Sequence, residues 1–339
     1  MTGTSDPGAV WRLIHGYTAY WAAVAGVRLG LFDALADGPL DPAELAGRCA
    51  PDAAGGASLD GHGVAVIADA LTAVGLLERD ADGYRLSAPA DAHLVGRRPA
   101  SMADLLLWSP GPPANWPALD RTVGGSAPPC PVGDDFYAHL VDATFPSQLA
   151  VARGVLDELA PVPGTRLLEL GAGRGPWTAA LLGADPGAAA VLNDLPVVLA
   201  ATGASLGPLA DRCAFVPGDY LSAALPAGPF DLVVLGHVLR AEPDERAGRL
   251  VARAAAGLAG DGRLVVTEYL GGRDPVAHPQ PALLAVTMLC ATVDGRVRTA
   301  GQIGGWLEAA GLSVVARPDP IANTDIIVAA PAARSEGAP

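Results

Sequence analysis

The sequence contains no lysine. All 22 basic residues among its 339 are arginine, which excludes a lysine Schiff base, a lysine-dependent aldolase and a P-loop built on lysine. Cysteine is scarce. Cys49, Cys130, Cys213 and Cys290 are scattered, with no C-x-x-C pair, so neither a disulfide scaffold nor a zinc ribbon is expected, and the pattern fits a reduced cytoplasmic protein without a metal site. Positive charge is outnumbered: 22 arginines face 36 acids, a net charge of −14, which argues against nucleic acid as a partner. Long hydrophobic runs are also missing. No apolar stretch reaches the ~18 residues of a membrane span, and Met1–Val10 lacks the basic start and apolar stretch of a signal peptide.

What is present is core material. Half the residues are hydrophobic, and the length suits two domains. The first third reads as helices. Leu13, Tyr17, Trp21, Val24 and Val27 recur at three- and four-residue spacing along a helix over Val10–Leu29, continued by Leu31–Leu35. Asp41 caps a short helix, Pro42–Arg48, and a further apolar helix over Gly63–Val74 stops at Gly75. Leu76–Arg79 and Tyr84–Ser87 then flank a turn, as in a hairpin. Helix, helix, hairpin is the order of a winged helix. Yet residues 1–110 hold 7 arginines against 13 acids, the wrong sign for DNA. A non-enzymatic DNA-binding regulator is disfavoured on that ground. An assembly domain, its first helix packed on a second subunit in a homodimer, is the expected reading.

Residues Ser109–Val132 are rich in Pro and Gly and read as a connecting loop with a short helix around Trp116–Val123, followed by a long helix over Phe136–Leu159. From Arg166 the pattern alternates strand and helix. Arg166–Leu170, Ala189–Leu192, Ala214–Pro217, Phe230–Leu235 and Leu264–Glu268 are the predicted parallel strands, with Ser313–Arg317 and Asp325–Ala329 closing an open doubly wound α/β sheet. The expected domains are 1–105 for assembly, 106–160 for connecting helices and a pocket segment, and 161–339 for the Rossmann-like catalytic part. Ligands of such a sheet lie at the strand carboxyl ends.

The sharpest motif is Leu168-Glu169-Leu170-Gly171-Ala172-Gly173-Arg174-Gly175, a glycine turn between strand and helix that lets backbone approach a ligand closely. Asp194 follows the next strand, placed to accept ribose hydroxyls, and Gly218-Asp219-Tyr220 follows the third, offering a carboxylate and a ring. The spacing E-x-G-x-G-x-G, with these acids in order, resembles class I S-adenosylmethionine-dependent methyltransferases. Asn193-Asp194-Leu195-Pro196-Val197-Val198 looks like the D-L-P-x-V segment of the small-molecule O-methyltransferases of plant phenolic and bacterial polyketide tailoring. Leu31-Phe32-Asp33-Ala34-Leu35 and Arg298-Thr299 resemble two further segments of that family. The likeness covers roughly residues 10–330 and implies a winged-helix dimerisation domain before a Rossmann-like methyltransferase domain. It also implies S-adenosylmethionine as cofactor and a small-molecule substrate. By resemblance, Glu169, Gly171 and Gly173 hold the methionine part, Asp194 the ribose, and Asp219 and Tyr220 the adenine. Trp108, Trp116, Phe136, Phe145, Met288 and Cys290 fall in segments that line the family's substrate cavity, and Gly271–Pro281, with His278, is placed to form a lid.

One departure bears on the chemistry. Where the family has a histidine base after the fourth strand, this chain reads Val238-Leu239-Arg240-Ala241-Glu242-Pro243-Asp244-Glu245. Arginine stays protonated and is no base at neutral pH. The acid that precedes the family's R-T is replaced by Val297, while its other supporting acid is matched by Glu268. Three readings stand. Transfer needs no base and proceeds by proximity and orientation. Alternatively His237 substitutes. In the third, fold and cofactor are kept but the reaction is hydroxylation, decarboxylation or a pericyclic step. Arg240, whose fork suits a carboxylate or enolate, is expected either to bind such a substrate or to pair with Glu268 or Glu242.

Overall fold

The computed structural model describes residues 7–49, 59–108, 113–124 and 133–332. Cys130 and half of the predicted Pro/Gly-rich connection, residues 109–112 and 125–132, lie outside the described residues. The chain divides into two compact units, Met1–Ser109 and Pro110–Pro339. The boundary between the units falls within the expected connecting segment of residues 106–160.

In the first unit α1 (Gly8–Arg28) does not run on into α2 (Leu31–Leu35). Gly30 between them takes φ +67°, a left-handed break that costs glycine little and turns the chain. α3 (Pro42–Arg48) starts with the predicted cap. The Asp41 carboxylate accepts from the amides of Ala43 and Glu44, and the Glu44 side chain returns to the Asp41 amide. α4 (Gly61–Ala73) begins two residues earlier than predicted, because Asp60 supplies the N-cap. The hairpin β1 (Leu77–Asp80) with β2 (Gly83–Leu86) follows, then α5 (Ala88–His93) and α6 (Ala103–Trp108), short helices that sequence periodicity did not reveal. Phe32, Leu45, Leu71 and Tyr84 form this unit's buried core. The outer face of α1 is left exposed: Leu13 at 80% and Tyr17 at 73%, beside Val10, Trp11 and Ile14.

The second unit opens with a 3-10 turn (Pro113–Ala118) and α7 (Leu119–Val123), then α8 (Asp134–Leu159). Its sheet holds β3 (Arg166–Leu170), β4 (Ala189–Asp194), β5 (Cys213–Pro217), β6 (Phe230–Gly236), β7 (Leu258–Glu268), β8 (Leu312–Ala316) and β9 (Asp325–Pro331). The strand order is β5-β4-β3-β6-β7-β9-β8, parallel except for β9, which runs antiparallel to both neighbours. The direction of winding reverses between β3 and β6, and this switch point opens a crevice at the strand carboxyl ends. β6 is buried along its run of Leu232–Leu235, as its unbroken apolar sequence requires. α9 (Pro176–Ala184), α10 (Pro196–Leu206) and α8 cover one face, with Trp177, Leu181 and Val155 packed on Leu167, Leu192 and Val234. α11 (Asp244–Ala256) and α13 (Ala300–Ala309) cover the other, with Leu250, Val251 and Ile303 on Val233, Leu235 and Val266. α12 (Pro279–Ala291) was not foreseen as a helix. It packs against α7 and the 3-10 turn.

No helix among the described residues is long and apolar enough to cross a membrane. Asp41→Ala removes both side-chain cap bonds of α3 and is expected to lower stability by about 1 kcal/mol, read as a reduced urea midpoint at unchanged m-value. An unmoved midpoint would mean that the packing of buried Leu45 alone holds α3.

Candidate active site

The glycine turn is built from three left-handed positions: Gly171 at φ +69°, Gly173 at +53° and Gly175 at +70°. A Cβ on Gly171 would lie 2.3 Å from Val238 Cγ1, and one on Gly173 would lie 3.3 Å from Val141 Cγ1 on α8. Side chains are therefore excluded from both sides, and the turn keeps its backbone free of Cβ atoms at these two positions. The turn is tied down at its edges. The Gly171 and Ala172 amides donate to the Asn193 carbonyl at 2.8 and 3.1 Å, and Thr202 Oγ1 donates to the Gly173 carbonyl at 2.9 Å.

Two carboxylates flank it. Glu169 is buried at the end of β3 and accepts from the α9 amides of Trp177 (3.3 Å) and Thr178 (3.1 Å) and from Thr178 Oγ1 (2.7 Å). These bonds fix the first turn of α9, whose N-terminal dipole also favours the negative charge. Burial nevertheless pushes the Glu169 carboxyl up to about 7, against those hydrogen bonds and with the help of nearby Asp194. Asp194 accepts from the Gly173 amide at 2.7 Å and from the Leu195 amide at 2.7 Å, and burial raises its pKa too. Among the described residues neither carboxylate has an arginine or histidine partner. Asn193 Oδ1, between them in the sheet, is buried without a hydrogen-bond partner. Two acids without a cation, beside a glycine turn that presents no side chain at Gly171 and Gly173, fit a cationic ligand with a ribose diol.

Beyond β5, the Gly218 amide donates to the Asp194 carbonyl at 2.9 Å, which brings Asp219 and Tyr220 to the same edge. Asp219 pairs with Arg246 at 3.1 Å. The Tyr220 ring lies 4.0 Å from the Gly171 Cβ position, and its hydroxyl donates to Glu242. Burial and that carboxylate hold the phenol protonated. Glu242 also accepts from Arg246 Nε at 2.5 Å, so one chain of polar contacts joins this edge to the turn that carries Arg240.

That turn lies over Glu268 at the end of β7. Glu268 is 3% exposed. It accepts the Arg240 amide at 3.1 Å and Arg240 Nη1 at 3.2 Å. Burial would raise its pKa, but Arg240 and His237 hold it below the ordinary range. Of the two acids foreseen as partners for Arg240, Glu268 is the one used. Val297 leaves the family's second acid absent and lines a cavity of about 240 Å³ with Gly271, Gly272 and His278. His237 sits in the left-handed region at φ +59°, rare for a side chain with Cβ. Its Nδ1 is 3.8 Å from Glu268 Oε2, beyond hydrogen-bond reach, and has no partner. Burial, then the charge of Arg240, pulls the imidazole below its usual pKa.

Tyr269 escaped the sequence reading. Its ring centroid is 5.0 Å from that of His237, and the Arg240 guanidinium lies over it at 5.8 Å. Its position directly after Glu268 at a strand end was the only available signal. Arg298 was foreseen by motif alone. It is buried, pairs with Asp244 at 3.0 Å and donates to the Glu242 carbonyl at 2.5 Å, so it pins the far side of the Arg240 turn.

The expected substrate-pocket residues are placed unevenly. Phe136 and Phe145 lie on α8, on either side of Val141 at the glycine turn. Met288 and buried Cys290 lie on α12, which packs on the turn holding Trp116. Trp108 ends α6 in the first unit, 41% exposed. His278 stands immediately before α12. A larger cavity, about 620 Å³ between the C-terminal half of α8 and α9, includes none of the site residues.

Comparison with known proteins gives the family. The family model of the O-methyltransferase domain matches residues 134–313, and that of the O-methyltransferase dimerisation domain matches residues 11–96. The tetracenomycin polyketide synthesis 8-O-methyl transferase of Streptomyces glaucescens is 27% identical over 95% of this chain and 97% of its own. Acetylserotonin O-methyltransferase of Mus musculus is 30% identical over 90% of this chain and 83% of its own. Among solved structures, human N-acetylserotonin methyltransferase in complex with S-adenosylmethionine superposes with a TM-score of 0.79 at 21% identity, covering 98% of this chain and 99% of that one. The chain belongs to the O-methyltransferase family and is an S-adenosylmethionine-dependent methyltransferase.

A carboxyl pushed up to about 7 in the fold, from about 4.5 unfolded, stays protonated natively where the unfolded chain has released the proton. Stability therefore falls as pH rises from about 4.5 to 7 and is level above that range. Glu169→Gln should remove this slope and leave the variant the more stable form above pH 7, by an amount on the order of 2 kcal/mol. Urea unfolding at pH 5, 6, 7 and 8 checks this. A parallel pH dependence in both proteins would place the Glu169 pKa near its unfolded value.

Proposed function

We propose that this methyltransferase acts, as a homodimer, on a hydroxyl of a small aromatic or polyketide-like natural product. The observation that carries the reading is the convergence of Glu169, the bare glycine turn, Asp194 and Tyr220 on one crevice at the switch point, with the Arg240 turn beside it. S-adenosylmethionine, when bound, supplies an electrophilic methyl group on a sulfonium. Gly171 and Gly173 would offer backbone to its methionine end, where Glu169 and Asp194 provide the countercharge. Asp194 would accept the ribose hydroxyls, each oxygen having room beyond its one backbone bond, and Asp219 and Tyr220 would flank the adenine. Phe136, Phe145, Trp116, Met288 and Cys290 would give the acceptor an aromatic and sulfur-rich lining. A relative that acts in tetracenomycin polyketide synthesis and the acetylserotonin O-methyltransferases support a substrate of that chemical kind.

Arg240 takes the place of a base and cannot be one. In this reading it orients the acceptor, with Glu268 holding the guanidinium and His237 a neutral imidazole behind it. Arg240 also supports a second reading, in which fold and cofactor serve hydroxylation, decarboxylation or a pericyclic step. Mass spectrometry separates the two, since a product heavier by one CH₂ requires methyl transfer. The exposed apolar face of α1 supports assembly through the first unit, since patches of this kind on soluble proteins mark interaction sites.

Two measurements test the proposal. Asp194→Ala should remove charge-assisted bonds to the ribose, each worth roughly 1.5–3 kcal/mol, and weaken S-adenosylhomocysteine binding at least about tenfold. Unchanged affinity by calorimetry would move the ribose site elsewhere. In light scattering the native protein should have twice the mass of the 34.1 kDa chain, and Leu13→Glu with Tyr17→Glu should yield monomers. A native monomer at micromolar concentration contradicts the homodimer.

A further inference from the structure

Arg240 is held as a rigid donor. Its amide donates to Glu268 Oε1, its carbonyl accepts the Arg296 amide at 2.8 Å, and its Nη1 donates to Glu268 Oε2. Tyr269 lies under the guanidinium plane, a cation–π contact. Glu268 is its one side-chain hydrogen-bond partner among the described residues. With the side chain 18% exposed, the remaining N–H donors of the fork are open to solvent. Glu268 offsets part of the positive charge, so the fork acts mainly through directed N–H groups.

Among the described residues of the Arg240 turn, the β7 end and the adjoining loop, no group is suited to take a proton from an ordinary hydroxyl. Both Glu268 oxygens are committed to Arg240. Arg296 and Arg298 are cations on the adjoining loop, and Asp244 is paired with them at 3.9 and 3.0 Å. Glu242 is committed to Tyr220 and Arg246. Among the described residues of the Arg240 turn itself, His237 carries the imidazole, buried and held below its usual pKa. Moving a proton from a phenol near 10 to such a group is uphill by roughly three orders of magnitude or more.

We infer that the acceptor is taken up as a preformed oxyanion, seated on the open N–H edge of Arg240 above Tyr269. The substrate class is then hydroxyls acidic enough to ionise near neutral pH, such as a phenol conjugated to an ortho or para carbonyl, or the enol of a 1,3-dicarbonyl. The proton passes to solvent before binding, and no protein group has to accept it. An oxyanion makes charge-assisted bonds to the fork that are roughly twice as strong as those a neutral hydroxyl makes. The inference rests on the proposed methyl transfer to oxygen and adds the ionisation state of the acceptor.

The test uses 4-nitrophenol, whose ionised form has its own absorption band, with native protein saturated with S-adenosylhomocysteine. Titrations run between about pH 5.5 and 8.5. The expected result is a phenolate band on the bound ligand below the ligand's own pKa. The dissociation constant should tighten about tenfold per pH unit up to that pKa and then level off. Arg240→Lys keeps a charge for Glu268 but loses the planar fork, and should weaken phenolate binding at least about tenfold. Tyr269→Leu should weaken it less. Preferential binding of the neutral phenol, an affinity independent of pH, no binding at millimolar ligand, or an unaffected Arg240→Lys variant overturns the inference. So does loss of the pH slope in His237→Gln, which would make the imidazole the proton acceptor. Calorimetry with S-adenosylhomocysteine on the same samples separates the two levels. Normal binding of it without phenolate preference removes this inference alone, whereas no binding of it removes the methyltransferase reading as well.

Discussion

A single buried carboxylate, Glu268 at the end of β7, organises the chemistry-bearing edge of the sheet. A charge this deep is tolerated only when paired and fully hydrogen-bonded. Glu268 meets that condition by taking both the amide and the side chain of Arg240. Removing one partner of such a pair costs roughly 3–5 kcal/mol, because the other is left uncompensated. Arg240 is thus a structural and a functional residue at once: the pair that keeps Glu268 stable also fixes where the guanidinium points. The loop around Arg296 and Arg298 closes on the same turn from the other side.

The cofactor edge obeys the opposite electrostatic logic. Glu169 and Asp194 are buried or nearly so without any cation among the described residues, and burial raises the pKa of both. Backbone amides carry the compensation instead, from α9 for Glu169 and from the glycine turn and Leu195 for Asp194. Such a site is poised for a positive ligand, since a sulfonium or ammonium would relieve a strain that the protein alone leaves in place. The Asp219–Arg246–Glu242–Tyr220 contacts run between the two edges, so the residue beside the proposed adenine site and the turn beside the acceptor share one hydrogen-bonded network.

Much of this was legible in the sequence, for identifiable reasons. Parallel strands buried on both faces are mainly apolar, so Phe230–Leu235 and Arg166–Leu170 could be placed to within a residue. The Asp41 cap and the left-handed glycines are local requirements of backbone geometry, and local requirements leave local marks. The ordered set Glu169, Gly171, Gly173, Asp194, Asp219 was readable because the doubly wound topology sends successive strand ends to one crevice. α12 was not foreseen, since its apolar residues surround the helix without a single stripe. Leu31–Leu35 was read as a continuation of α1 because the break at Gly30 depends on a dihedral that the spacing of Val24, Val27 and Leu31 does not reveal.

The sequence by itself determined the class of protein: an acidic helical assembly unit before a cofactor-binding sheet, with arginine standing where a base is expected. Only the tertiary structure decided what that arginine does. Glu242 and Glu268 were equal candidates in sequence, two and 28 residues from Arg240. The choice of Glu268 follows from the parallel register of β6 and β7, which lays the two strand ends side by side. The same register brought Tyr269 under the guanidinium and left His237 buried with an unpartnered nitrogen. Contacts between strand ends depend on how sheets twist and align over long sequence separations, and no spacing along a single chain encodes that directly.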